Sequence, residues 1–299
     1  MLYQRTISKK VVAIGVGLHS GERVTITMRP APPEYGIKFI RNDLPKHPEI
    51  LCHPFLVKDT RLSTTLIDDN VRVSTIEHLM SAFACLGIDN IIVELTAPEI
   101  PIMDGSSNSF IFLLNEAGIV EQNVKKKYIK ILKDIQVVDS DKWVKFAPFD
   151  GYKIKFTIEF DGDLFKPENC SYEIDFSKAS YIKEISRART FGFMHQVEQI
   201  RSAGLGLGGT LNNTIIIDSE NVLNPGGLRF KDEFVRHKVL DAIGDLYVIG
   251  HQIIGAFEGY KSGHDINNKL LRKLVSDPTS WEYVTFKNEE FVPPGFYNI

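Results

Sequence analysis

Cysteine is scarce in this chain: Cys52, Cys85 and Cys170 are the three in 299 residues, odd in number and far apart. That spacing excludes a disulfide framework and fits reduced thiols in a cytoplasm. Cys52-His53 has no C-x-x-C partner, so the pair reads as incidental rather than as half of a metal site. An excess of one charge sign is also missing. A net charge of −3 offers no electrostatic basis for binding nucleic acid. No apolar run approaches the roughly 18 to 20 residues of a membrane helix. The stretch 11–18 after Lys9-Lys10 has the look of a signal peptide, but Gly15 and Gly17 interrupt it and no small-residue cleavage site follows. It reads as a strand and turn. A hydrophobic content of 43% and a charged content of 24% are ordinary for a soluble globular protein. A cytoplasmic protein without a transmembrane segment is expected.

What is present begins with organisation. Length over roughly 150 residues per domain suggests two domains. Strands are expected over 10–14, 23–29, 36–40 and 62–67, separated by charged and proline-rich turns. A helix follows, with Ser74 at its N-cap, Glu77 at N3, and a core stripe of Ile76, Leu79, Met80 and Phe83. A strand at 90–95, a loop at 99–108 and a helix at 109–117 complete the first half. Lys125-Lys126-Lys127 reads as a solvated connector, with domains at 1–126 and 127–299. The second half restarts with strands at 128–138, 142–146 and 153–160. A helix with Arg201, a strand at 214–218, a helix at 234–250, a strand at 253–258 and a helix at 267–275 follow. Both halves run strands, helix, strand, helix, which suggests a duplicated two-layer α+β unit.

The chemistry centres on Arg236-His237-Lys238-Val239-Leu240-Asp241. An imidazole and a carboxylate at i and i+4 project from one helix face. On the helical wheel Val239, Leu240, Ile243, Leu246 and Tyr247 form an apolar stripe, with His237, Lys238, Asp241 and Asp245 opposite. That polar side is either a solvated face or part of a metal site. Far upstream, His78 in Ser74-Thr75-Ile76-Glu77-His78 offers a third ligand. Two His and one Asp match the three-ligand sites of catalytic zinc enzymes. If the halves pack helix layer to helix layer, His78 would face His237 and Asp241.

Glu77 admits two readings: completion of a capping box with Ser74, or a base that deprotonates water beside a metal. Gly263-His264-Asp265 reads as a loop before the last helix, from which His264 could protonate a leaving amine. Gly204-Leu205-Gly206-Leu207-Gly208-Gly209 is no phosphate loop. It follows a helical segment and lacks the Gly-Lys-Ser/Thr ending. Its small residues instead let an apolar chain lie close to backbone.

Six ordered motifs together resemble one family. They are Gly17-Leu18-His19-Ser20-Gly21, Ser74-Thr75-Ile76-Glu77-His78-Leu79 and Glu99-Ile100-Pro101-Ile102-Met103-Asp104-Gly105-Ser106, then Ala188-Arg189-Thr190-Phe191-Gly192-Phe193, the segment from Arg236 to Leu246, and Gly263-His264-Asp265-Ile266-Asn267-Asn268. The chain is similar, from its N-terminus to its last helix, to the UDP-3-O-acyl-N-acetylglucosamine deacetylases, zinc enzymes of lipid A biosynthesis. The resemblance implies two similar two-layer α/β-sandwich domains with helix layers face to face and the site between them. It implies His78, His237 and Asp241 as zinc ligands, Glu77 as general base, and His264 as the acid for the departing amine. Fe(II) suits the same ligand set. Thr190 would help hold the oxyanion, Asp245 would orient His264, and Lys238 would meet the sugar or diphosphate.

The same resemblance implies that Phe191 stacks on the glucosamine ring and that the segment from Phe193 to Gly209 lines an acyl passage. Met194, Ala203 and Leu207 would set its depth. Leu18, His19 and Ser63 would flank the sugar and the start of the chain. Lys261 would meet the diphosphate, and Glu159-Phe160 the uridine. The expected partner is a UDP-linked acylated amino sugar, and the expected working unit a monomer. Two positions depart from the family pattern. Many relatives carry at position 63 a cysteine that binds a second, inhibitory zinc, and Ser63 has no thiol. Relatives continue the uridine segment with an Asn/Gly-His-Pro turn, where this chain has Phe160-Asp161-Gly162-Asp163-Leu164. Two alternatives stand beside this reading: a metal-dependent amidase on another acylated sugar, and a non-catalytic lipid- or nucleotide-binding relative. A binder has no use for Glu77, His264 and three ligands together.

Overall fold

The computed structural model describes residues 1–160, 162, 164–218 and 221–297. Asp161 and Asp163 of the divergent uridine turn lie outside the described residues. In chain order the first half contains β1 (Tyr3–Ile7), β2 (Val11–Val16), β3 (Arg23–Pro30), β4 (Ile37–Arg41), β5 (Glu49–Leu51), β6 (Val57–Asp59), β7 (Thr65–Asp68) and β8 (Val71–Val73). Then come α1 (Glu77–Leu86), β9 (Ile91–Leu95), α2 (Asn108–Ala117) and β10 (Ile119–Lys125). The second half contains β11 (Tyr128–Ile131), β12 (Ile135–Asp139), β13 (Lys142–Ala147), β14 (Tyr152–Thr157), β15 (Ser171–Asp175) and α3 (Lys178–Glu184). It continues with β16 (Phe191–Phe193), α4 (Met194–Ser202), β17 (Ile215–Asp218), β18 (Asn221–Val222), α5 (Glu233–Tyr247), β19 (Gln252–Tyr260), α6 (His264–Ser276) and β20 (Trp281–Val284).

Period-two alternation explains which strand faces turn inward. Val24, Ile26 and Met28 of β3, Ile91, Val93 and Leu95 of β9, and Tyr152, Ile154 and Phe156 of β14 are all buried. The halves share one topology. The first sheet runs β2-β3-β9-β4-β5, with β9 antiparallel to β3 and parallel to β4. In the second, β19 lies antiparallel to β13 and parallel to β14, with β12 and β15 outside them. Strand for strand, β12-β13-β19-β14-β15 repeats the first sheet, and α5 stands where α1 does. This is the α+β architecture expected from the repeated pattern. Each half also carries a small insert before its main helix: β6-β7-β8 ahead of α1, and β16-β17-β18 with α3 and α4 ahead of α5.

All ten residues of α1 are buried, with α5, α2 and α3 packed against it. The expected strand over 128–138 is broken into β11 and β12, which sit at different places in the sheet. The strand expected from 62 starts at Thr65, since Leu62 has a left-handed φ of 58°. The solvated connector is corrected at its middle residue. Lys126 is 0% exposed, its ammonium 2.6 Å from Asp89 Oδ1 and 3.1 Å from the Gly87 carbonyl at the end of α1. A buried carboxylate and a helix C-terminus draw the cation inward. No helix among the described residues is long and apolar enough to cross a membrane.

Candidate metal centre and active site

The start of α1 is bent into place. Thr75 has a φ of 58°, an uncommon conformation for a β-branched residue, and its hydroxyl donates to Glu99 Oε1 at 2.9 Å. That turn separates Ser74 from the helix, so the capping box does not form. Ile76 is the N-cap, without a side-chain cap, and Glu77 is the first helical residue. Its Oε2 instead accepts the Thr64 N–H at 2.9 Å. Burial lifts the Glu77 carboxyl above the usual carboxylate range.

On α5 the supposed solvated face is buried, because α1 packs over it. His237 and Asp241 stand one turn apart, and His78 meets them from α1. His78 Nε2 lies 3.4 Å and His237 Nε2 3.3 Å from Asp241 Oδ1, with the two rings edge to face. One ligand atom from each of the three residues lies within 4.8 Å of the others. His237 Nδ1–H donates to the Ala188 carbonyl at 3.1 Å, which leaves Nε2 free to face the centre. Burial holds the His237 ring down at about 3, so it is neutral at ordinary pH. Burial also opposes the Asp241 charge, but the His237 ring and the Lys238 ammonium, 2.6 Å from Oδ2, together outweigh it and hold that carboxyl well below the usual range. Asp241 Oδ1 is buried without a hydrogen-bond partner among the described residues. Two imidazole nitrogens and an unsatisfied carboxylate oxygen converging in a buried space are a donor set that fits zinc or Fe(II).

His264 approaches from a third element. It is the first residue of α6 rather than a loop residue, because Gly263 supplies the extended N-cap. Its Nδ1 lies 2.9 Å and 3.1 Å from the two oxygens of Asp245. Asp245 also accepts from the Thr64 hydroxyl at 2.5 Å and from Asn267 Nδ2 at 2.9 Å. Burial works against the His264 imidazolium, yet the Asp245 carboxylate prevails and raises the ring to about 9.

These groups border a cavity of about 710 Å³. Glu77, His78, Thr190, His237, Lys238, Asp241 and His264 line it at one end, with Leu18, His19, Phe160, Phe191 and Phe193. His19 is buried with both ring nitrogens unpartnered among the described residues. Val197, Ile200, Gly206 and Ile216 extend the lining between α4, β17 and the glycine segment. Asp245 sits behind His264 and does not line the cavity. Ser63 is buried outside the lining. Met194, the first residue of α4, and Ala203, just past its end, are exposed and outside the lining, and Lys261 pairs with Asp141, a lining residue, at 2.6 Å. The glycine segment does lie against backbone, but that of the protein itself. Leu207 N donates to the His19 carbonyl and Gly208 N to the Leu18 carbonyl, and a Cβ on Gly208 would stand 2.1 Å from the Gly17 oxygen.

Several contributors had no role assigned from the sequence, although Ala188 and Asn267 lie in recognised motifs. Thr64, Asn267 and the Ala188 carbonyl act through hydrogen bonds to residues far away in the chain. Glu99 also lay in a recognised motif, and its role too needed the fold. Its two oxygens accept the His19 and Ser20 N–H groups at 2.9 Å and 2.8 Å, shaping the loop that presents His19.

The profile of the family described as LpxC, UDP-3-O-acyl N-acetylglycosamine deacetylase, matches residues 4–276. The chain is 56% identical over 301 residues to a UDP-3-O-acyl-N-acetylglucosamine deacetylase of Neisseria meningitidis serogroup B, covering 100% of this chain and 98% of the relative. It is 56% identical to that of Chromobacterium violaceum over 300 residues, covering 100% and 99%. It is 52% identical to that of Thioalkalivibrio sulfidiphilus over 297 residues, covering 99% and 98%.

Proposed function

This chain belongs to the UDP-3-O-acyl N-acetylglycosamine deacetylase family, and we propose from that premise that it hydrolyses the N-acetyl group of UDP-3-O-(3-hydroxyacyl)-N-acetylglucosamine. The products are acetate and UDP-3-O-(3-hydroxyacyl)-glucosamine with a free 2-amine, the committed step of lipid A biosynthesis in the cytoplasm. The observation that carries the reading is the meeting of His78, His237 and Asp241 beside Glu77 and His264, in a cavity that continues into an apolar groove. The working unit proposed is a monomer.

His78, His237 and Asp241 would hold the metal, zinc in this reading with Fe(II) as the alternative. When bound, such a metal supplies Lewis-acid charge that polarises a carbonyl and eases the ionisation of water. Glu77 takes a proton from the attacking water. Its raised pKa brings it nearer to neutrality, where a base can both accept and release a proton. The Thr190 hydroxyl donates to the oxygen on which negative charge develops. His264, protonated at neutral pH by virtue of Asp245, gives its proton to the departing amine. Asp245 holds that ring in one orientation and does not itself touch the substrate.

Phe191 offers a ring face to the sugar, while Leu18 and His19 border the same space. The acyl chain runs along Phe193, Val197, Ile200 and Gly206. Lys238 and Lys261, with Phe160, serve the UDP end. Metal analysis of the purified protein, paired with acetate release from the UDP-sugar, tests this reading. A protein that holds no transition metal, or that releases no acetate when loaded with zinc, would sink it.

A further inference from the structure

Thr64 touches both members of the acid–base pair. It is buried immediately before β7, in the small sheet inserted ahead of α1. Its carbonyl accepts the Ile76 N–H at 3.3 Å, just before α1 begins. Its own N–H donates to Glu77 Oε2 at 2.9 Å. Its hydroxyl donates to Asp245 Oδ1 at 2.5 Å, across 181 positions of sequence. Asp245 in turn accepts from His264 Nδ1. One residue thus links the group that takes a proton to the carboxylate that steadies the group that gives one.

We propose that Thr64 is a positioning residue for the deacetylation. Its N–H aims the Glu77 carboxylate, and its hydroxyl fixes Asp245 and, through it, the His264 ring. The inference rests on the deacetylase reading above. Three features support it beyond the distances. A carboxylate oxygen can only accept, so the hydroxyl proton points at Asp245 and the direction of the bond is unambiguous. Threonine is β-branched and stiff at χ1, so a buried hydroxyl stays where the backbone puts it. That backbone is anchored, because Thr65 pairs with Asp59 in the adjoining ladder and Thr64 itself receives the Ile76 N–H. With Oε2 taken by Thr64, the other Glu77 oxygen is the one left to accept a proton from the cavity. The titratable groups that act on His264 include Asp245 and Asp241 from α5, Glu77 from α1 and His19 from the loop after β2, and Thr64 contacts Asp245 and Glu77.

The test compares Thr64→Val, which keeps shape and loses the hydroxyl, with Thr64→Ser, which keeps it, in the metal-loaded full chain. Thr64→Val should retain metal and lower kcat for acetate release by about tenfold or more, with KM within about twofold. Thr64→Ser should restore most of kcat. A second readout needs no substrate: NMR titration of His264. With one donor fewer, Asp245 concentrates its charge on the ring, so the midpoint should rise by about half a unit in the valine variant and stay put in the serine variant. A general loss of packing would not produce that contrast. Should the valine chain fail to fold, Thr64→Ala removes the same hydroxyl without placing a methyl against Asp245. Wild-type kcat with an unmoved His264 titration in the hydroxyl-free variant overturns the proposal, as does a serine variant impaired like the valine. If wild type itself releases no acetate, the deacetylase reading fails, and the titration arm still decides whether Thr64 governs His264.

Discussion

Gly244 of α5 rides on the backbone of Glu77 in α1: a Cβ built on Gly244 would stand 1.9 Å from the Glu77 carbonyl oxygen. The two helices that carry the ligands therefore touch backbone to backbone at this level. A second tie lies nearby, where the Ser81 hydroxyl donates to the Leu240 carbonyl at 2.8 Å. Close approach sets the distance between His78 and the His237–Asp241 pair, so a missing side chain becomes a condition for the site.

Gly244→Ala must push α1 and α5 apart, because all three obstructing atoms, the Glu77 O, C and Cα, are backbone. A loss of about 1–3 kcal/mol in stability is expected, as for overpacking a tight core. Metal affinity should fall with it, since His78 moves relative to Asp241. Denaturant unfolding and metal titration on the same samples check this. A variant with altered stability but wild-type metal affinity would separate the helix contact from the site.

Removing a ligand and removing the base should have different signatures. His237→Ala or Asp241→Ala takes away one of three protein donors, so metal content and acetate release should fall together. Glu77→Gln keeps an acceptor for the Thr64 N–H and should retain metal while losing turnover by about a hundredfold or more. Metal analysis of each purified variant decides, and a metal-free Glu77→Gln would reverse the division between ligand and base.

Activity should follow a bell in pH. The rising limb reflects Glu77, which burial moves above its ordinary value, titrating as a unit with its charged neighbours. The falling limb belongs to His264 losing its proton near 9. Asp245→Asn removes the charge that favours the imidazolium, so the falling limb should move to lower pH. The same shift has a stability consequence. His264 goes from 6.5 to about 9 on folding, so its contribution is fully present below 6.5 and is lost as pH rises through about 9. A kcat/KM profile and unfolding curves across that window test both. An unmoved basic limb in Asp245→Asn would take His264 out of the acid role.

Gly208→Ala should loosen the glycine segment from the Gly17–Gly21 loop, because its Cβ would meet the Gly17 carbonyl oxygen. The acyl groove and the His19 loop share that contact. The expected result is a kcat/KM for the acylated substrate reduced about tenfold or more, with metal content unchanged. Wild type should likewise turn over UDP-N-acetylglucosamine much more slowly than its 3-O-acylated form, since binding of the remote chain helps position the amide. Equal rates on the two substrates would remove the groove from the mechanism.

Lys126→Met leaves Asp89 buried without its cation at the end of α1. Breaking one side of a buried pair typically costs about 3–5 kcal/mol. Chemical denaturation should show it, and a cost near zero would mean that Asp89 simply takes up a proton.

Spacing made part of the site legible without a structure. His237 and Asp241 share a helix face because the helical period dictates it, whatever surrounds them. The same period marked α5, and the repeated order of strands and helices marked the duplicated α+β plan. The motif order carried Glu77, His78 and His264 into one chemistry. Local rules failed where a distant group competed with a near one. Ser74 and Glu77 have the spacing of a capping box, but the Thr64 N–H takes the carboxylate and Thr75 turns the chain away. Three lysines in a row look solvated, but Asp89 and the end of α1 draw Lys126 inside. Thr64, Asn267 and the Ala188 carbonyl matter only through partners from 13 to 181 positions away, and no local pattern encodes such pairings. Tertiary packing alone decided that the polar side of α5 would be dry. It did so by laying α1 over that face at Gly244, where the absence of a side chain lets two helix backbones meet.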